Sequence, residues 1–261
     1  MTAFRALAAG ALAVALAFLV LPVVAIFVDT SPGELLASLG DGASRDALLL
    51  SLETTSIAVA LIVAVGTPAA WFLATRRFRG KAAVVTLVEL PLVLPPAVAG
   101  IGLLAALGPQ GLAGGLVGDS LVLQTAGVVV ALTFVAAPFY LRQAQAAFAA
   151  IDPALLEASR TLGAGEARTF ARVGIPTARP GLAAGLALAW GRALGEFGAT
   201  LMFAGSFRGI TQTVPLAIYD QFATDFPAAL ALSAVLVCVS AVLLGSVKLV
   251  TGAGPLGVAA R

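Results

Sequence analysis

The sequence predicts an all-α integral membrane protein with six transmembrane helices, both termini cytoplasmic, and a cytoplasmic two-helix loop between spans 4 and 5. Three observations predict it. Of the 261 residues, 60% are hydrophobic and 11% charged, against roughly 25% charged in soluble domains. The apolar residues gather into blocks of the length that crosses a bilayer, about 20 residues as a helix. The Lys and Arg residues lie almost all to one side of those blocks. The whole chain reads as a single transmembrane domain, 1–261, with spans at about 6–28, 54–75, 84–107, 120–141, 181–203 and 226–247, and the loop at 150–180.

The first span, 6–28, has no charge. Its apolar run is longer than the ~7–15 residues of a signal-peptide core, and no small-residue cleavage site precedes Asp29, so it reads as a retained helix. Residues 29–53 are polar, with Asp29, Glu34, Asp41, Asp46 and Glu53 against Arg45. The second span, 54–75, is uncharged, and Gly66 and Pro68 predict a bend. A basic loop follows: Arg76, Arg77, Arg79 and Lys81.

The third span, 84–107, contains Glu89 near its cytoplasmic end, where it could meet the loop or solvent, and then Pro91, Pro95 and Pro96. Each proline removes a donor and clashes one turn back. Freed carbonyls at membrane depth must face protein or water. This predicts a broken helix beside a pathway, or else a kink used for packing. A Gly-rich loop, 108–119, leads to an uncharged fourth span with Pro138 near its end.

The fifth span carries Arg192 and Glu196, four apart and so on one helix face, among Gly191, Gly195 and Gly198. Intramembrane charges face the bundle interior and pair. Two readings stay open for this pair: a structural ion pair, or contact with a transported solute. In the next loop, 204–225, Arg208, Thr211, Gln212 and Thr213 read as an external contact surface or a solvated one. The sixth span holds Cys238, read as a small core residue.

Of the 15 Lys and Arg residues, twelve fall in the N-terminus, the 2–3 and 4–5 loops and the tail, and two in the opposite loops. That bias places both termini and the 150–180 loop in the cytoplasm. The chain has no His, which excludes His-based triads and HExxH zinc sites. No Gly-x-Ser-x-Gly lies in a span and no P-loop is present, so ATP hydrolysis would occur on another chain. No cofactor, metal or nucleic acid is expected on this one.

Residues 152–180 form a polar island between apolar blocks. Asp152-Pro153 signals a helix start. Leu155, Leu156, Ser159 and Leu162 follow at helical spacing, and Gly163 suits a left-handed end. A second short helix fits 165–173, stopped by Pro176. The spacing Glu157-Ala158-Ser159, then Gly163, then Val173-Gly174-Ile175-Pro176 resembles the EAA loop of ABC importer permeases, Glu-Ala-Ala-x3-Gly-x9-Ile-x-Leu-Pro. It departs from that pattern at Ser159, Val173 and Ile175. The resemblance implies that Leu155, Leu156, Glu157, Ala158, Ser159, Leu162, Gly163 and Pro176 couple the chain to a cytoplasmic ATPase subunit.

The stretches 90–100 and 195–219 resemble molybdate and tungstate permeases, and sulfate and thiosulfate permeases share a similar Gly-Glu-Phe/Tyr-Gly element. What this implies is a homodimer in a prokaryotic cell membrane, two ATPase subunits, and an extracytoplasmic oxyanion-binding protein. The pathway is expected along Pro95, Pro96, Arg192, Glu196 and Thr200. The alternative solute is sulfate or thiosulfate. The alternative class is an ion-coupled secondary carrier, for which Glu89 and Glu196 would be the buried acids.

Overall fold

The computed structural model describes residues 2–250. The C-terminal tail with Arg261 lies outside the described residues. Helix α1 (Thr2–Val28) is apolar on every face and exposed along nearly all its length, packing against the last helix. A helix hydrophobic all round is suited to hydrocarbon. Helix α2 (Pro32–Gly40) starts with a reciprocal cap: the Ser31 hydroxyl accepts from the Glu34 N–H, and the Glu34 carboxylate accepts from the Ser31 N–H at 2.7 Å.

Helix α3 (Gly42–Thr75) begins with Asp41 as its cap and runs 34 residues, about 50 Å. It therefore starts twelve residues before the expected span. Its polar first turns bury Ala47, Leu50 and Ser51 against later elements, and the Ser51 hydroxyl accepts from the Val214 N–H at 2.8 Å. Pro68 sits inside the helix without ending it.

The expected third span is two helices, α4 (Lys81–Val93) and α5 (Pro96–Leu107), bent by 116° at Leu94-Pro95. The predicted break is there. Part of the Gly-rich loop is helical, α6 (Gly114–Leu121). The fourth long helix, α7 (Thr125–Ala149), begins later than expected and continues past residue 141, because Tyr140, Ala144 and Phe148 are buried on its inner face. After it come α8 (Pro153–Thr161) and α9 (Glu166–Thr169), a π-helical turn (Phe170–Gly174), and α10 (Ile175–Leu194). The chain breaks at 195–197 before α11 (Gly198–Ala204), so the expected fifth span is not continuous. The next loop is largely helical too: α12 (Val214–Phe222) leads into α13 (Phe226–Val250). Cys238 is exposed rather than in the core.

Helix α7 is the centre, flanked by α3 and α10. Gly66 lets the Tyr140 ring close on α3: a Cβ there would lie 3.0 Å from it. The Tyr140 and Thr67 hydroxyls bond at 2.7 Å. A second cluster joins α5, α7 and α11 through Ala99, Leu103, Val135 and Phe203. Four described helices are long and apolar enough to cross a membrane: Ala3–Val28, Gly42–Thr75, Thr125–Ala149 and Phe226–Val247. The bent α4–α5 pair makes a fifth if counted as one span.

The α5–α11 contact depends on glycine. A Cβ on Gly100 would lie 2.7 Å from both the Ala199 carbonyl oxygen and the Met202 Cβ, whereas Gly102 has open space. Gly100→Val is expected to lower stability by about 1–3 kcal/mol through overpacking, and Gly102→Val by much less. Thermal unfolding of the purified variants in detergent checks the difference.

Candidate functional site

Two neighbourhoods hold the residues singled out in the sequence. The first is the projection after α7. Asp152 caps α8 by accepting from the Ala154 N–H at 2.9 Å. The helix ends at Gly163, whose φ of +78° suits glycine. The Gly163 N–H donates to the Arg160 carbonyl and the Ala164 N–H to the Ser159 carbonyl. This bonding pair is a Schellman stop, which satisfies the Ser159 and Arg160 carbonyls at the turn.

Three contacts hold α8 against the rest of the chain. The Ser159 and Thr169 hydroxyls bond at 3.0 Å, with Thr169 fully buried. Glu166 pairs with Arg76 at the end of α3 and lies 3.9 Å from Arg160. Leu156 packs on the main core. Leu155 and Leu162, by contrast, are 48% and 87% exposed. Glu157 and Ala158 are exposed as well. The result is a stiff two-helix knob that presents apolar side chains outward.

Pro176 does not stop the second helix, contrary to the sequence-based expectation. It sits in the first turn of α10, and the chain stays helical from Glu166 to Leu194. The π turn explains this. The Ile175 N–H reaches the Phe170 carbonyl, five residues back. The widened turn relieves the clash a proline makes with the carbonyl four residues before it. Phe170 lies in an aromatic group with Trp71 of α3 and Phe148 of α7, at centroid distances of 5.4 and 6.1 Å, and Trp71 and Phe148 are 5.3 Å apart. Gly174 faces the same indole; a Cβ there would come within 2.7 Å of it. Sequence reasoning misses this aromatic joint. Its elements are 22 or more residues apart, and no local period links them.

The second neighbourhood is the break at 195–197. Arg192 Nη2 is 2.5 Å from Glu196 Oε2, and Glu196 is 1% exposed. The other carboxylate oxygen accepts from the Ala199 N–H at 2.7 Å. Glu196 thus ties the end of α10 to the start of α11. Pro96 lies against Gly198, where a Cβ would be 2.8 Å from the Pro96 Cβ. Glu196 and Thr200 are buried within the single chain, and the Thr200 hydroxyl has no hydrogen-bond partner. Pro95, Pro96 and part of Arg192 reach its surface. Glu89, expected near the loop or solvent, pairs with Arg142 of α7 at 2.8 Å.

Known proteins share this architecture and much of this sequence. Residues 66–251 match the family described as "Binding-protein-dependent transport system inner membrane component". The "Molybdenum transport system permease protein ModB" of Mycobacterium tuberculosis is 42% identical over 227 residues, covering 86% of each chain. The protein of the same description from Escherichia coli K12 is 38% identical, covering 68% of this chain and 80% of its own. Among solved structures, a bacterial ABC transporter involved in import of the acidic polysaccharide alginate matches with a TM-score of 0.74 and 19% identity, covering 97% of this chain and 96% of that one. The MetNI methionine ABC transporter, in inward-facing conformations, matches with a TM-score of 0.63 and 20% identity, covering 79% and 94%. These two likenesses describe the fold.

Glu196→Ala leaves Arg192 without its partner and α11 without its cap, and is expected to cost about 3–5 kcal/mol. Glu196→Gln keeps an acceptor for the Ala199 N–H and should cost less. Thermal midpoints in detergent are expected to fall in the order wild type, Gln, Ala. At the other neighbourhood, Gly174→Val pushes the π turn off Trp71, and hydrogen exchange of amides 166–174 is expected to quicken.

Proposed function

Since this chain belongs to the inner-membrane components of binding-protein-dependent transport systems, we propose that it is the membrane-spanning subunit of an ATP-driven importer that takes up molybdate or tungstate. The observation that carries the reading is the joint between residues 153 and 194. A capped, exposed two-helix knob continues through one π turn into a membrane helix with no flexible link. A separate motor pressing on such a knob moves the membrane helix with it. The likeness to permeases named for molybdenum transport, over most of the chain, supports the solute.

The proposed membrane arrangement has six spans with both termini cytoplasmic. The α4–α5 and α10–α11 pairs each count as one broken span, and the Lys and Arg bias supports the sidedness. Two copies of the chain assemble with two cytoplasmic ATPase subunits, which carry all the nucleotide chemistry. An extracytoplasmic binding protein delivers the oxyanion. The location is the cell membrane of a prokaryote.

In this mechanism the ATPase surface buries the exposed Leu155 and Leu162. Ala158 lies beside them at helical spacing, Glu157 is exposed on the other side of α8, and Gly163 holds its end. Closure of the ATPases pushes the knob as one body. Ser159–Thr169 and the Phe170–Trp71–Phe148 contacts pass the movement to α3 and α7. The breaks at 94–95 and 195–197 are the hinges, and α5 and α11 move as a pair around Pro96 and Gly198. The solute path runs beside Pro95, Pro96, Arg192 and Thr200. Arg192 is already balanced by Glu196, so the path holds a dianion weakly, which suits a conduit supplied by a selective protein outside. The same arrangement argues against an ion-coupled carrier, since the buried acid is engaged by Arg192 and by the Ala199 N–H.

Glu157→Lys or Gly163→Asp is expected to abolish uptake of labelled molybdate while leaving the protein in the membrane at wild-type abundance. Uptake at the wild-type rate in these variants would refute coupling through α8. In the same assay tungstate is expected to compete and sulfate not; efficient competition by sulfate would reassign the solute.

A further inference from the structure

The membrane end opposite the knob carries a polar cavity of about 460 Å³ between α2, the start of α3, the end of α12 and the start of α13. Its lining includes Glu34, Ser38, Asp41, Arg208, Gln221 and Asp225. Three of these are carboxylates. Each spends one oxygen on a backbone N–H at a helix start: Glu34 on Ser31, Asp41 on Ser44 at 2.9 Å, and Asp225 on Ala228 at 3.1 Å. Each has a second oxygen with lone pairs to offer. Backbone hydrogen bonds hold the Glu34 and Asp41 carboxyls below the usual carboxylate range, from Ser31 and Ser44 respectively. The one basic side chain in the lining, Arg208, is shared with Asp220 at 3.6 Å.

Two further groups point to a ligand. Ser38 is nine-tenths buried, and its hydroxyl has no hydrogen-bond partner. The Gln221 side-chain oxygen is likewise buried and unpartnered. Buried acceptors without donors are costly. A group that brings only donors and positive charge would satisfy them and the acids together. Among the described residues no acidic cluster has the geometry of a metal site.

The sequence offers Arg208, Thr211, Gln212 and Thr213 as an external contact or a solvated surface. The structure buries the last three at 0–5% exposure. The Thr211 hydroxyl accepts from the Phe207 N–H, so these residues build the turn instead of facing outward. The cavity is open and polar at this end. We propose that it receives a lysine or arginine side chain from the external binding protein, docking that protein over α2 and α13. This rests on the importer reading above, which supplies an external partner.

The test uses the assembled importer in nanodiscs and its purified external binding protein, with affinity measured at low and high salt. The combined variant Glu34→Gln, Asp41→Asn, Asp225→Asn keeps every helix cap, since Asn and Gln cap as well as their acids, and removes three charges. Affinity is expected to fall about tenfold or more and its salt dependence to flatten, with the thermal midpoint unchanged. Ala37→Lys, at an exposed lining residue that caps nothing, places a tethered ammonium at the cavity and is expected to block docking. Wild-type affinity in Ala37→Lys, or an unchanged affinity and salt slope in the triple variant, would overturn the proposal. So would calcium chloride alone stabilising the wild type but not the triple variant while docking is unaffected. If the wild-type importer binds no external protein at all, the importer reading itself fails, a result distinct from equal binding by wild type and variants.

Discussion

Backbone groups in a membrane have no water to fall back on, and the rest of this structure depends on that constraint. An uninterrupted helix satisfies them internally. Each interruption must supply substitutes from side chains or from a neighbouring helix. At 195–197 the substitute is Glu196, which accepts from the Ala199 N–H and is held by Arg192. At 94–95 the prolines have no N–H to leave unpaired, and one side of the start of α5 lies against Gly198. The two breaks are therefore one structure. The helix after each lies against the helix after the other, and glycines at 100 and 198 allow the close approach.

The same constraint shapes the joint below α10. A proline at 176 in a regular helix would cost about 3 kcal/mol. The π turn moves one hydrogen bond to a five-residue span and so keeps the helix unbroken. It also rotates Phe170 and Gly174 onto Trp71, so continuity of the backbone and contact with α3 arise from one adjustment. A knob joined by a flexible loop would dissipate a push. This one is joined by a helix and braced by Glu166 on Arg76.

Local chemistry is legible in the sequence. Asp152-Pro153 and Gly163 mark the ends of α8 where the structure has them, since caps act within a few residues. The proline cluster marks the first break for the same reason. The spans are legible as apolar blocks, but their ends are not. Helix α3 begins at Gly42 because Ala47 and Ser51 find burial against α12, a contact made across more than 160 residues. The break after Leu194 is hidden because Gly-Glu-Phe-Gly in an apolar run also reads as a packed helix. Only the capping of α11 by Glu196 distinguishes the two. Thr211–Thr213 look like surface because they are polar, yet they fold inward to complete a turn.

The Arg192–Glu196 pair obeys the same logic, applied to charge. Removing an ion from water costs several kcal/mol even after relaxation, and a buried pair recovers this only with close geometry and further hydrogen bonds. Glu196 has a guanidinium 2.5 Å from Oε2, close but without hydrogen-bond geometry, and a backbone N–H at 2.7 Å on Oε1. The carboxylate thus lies between the arginine and the first turn of α11. On the proposed path, an anion beside Arg192 competes with a carboxylate tethered four residues away. The pair that fixes the break between α10 and α11 would, on the proposed path, also keep an anion from settling at the arginine.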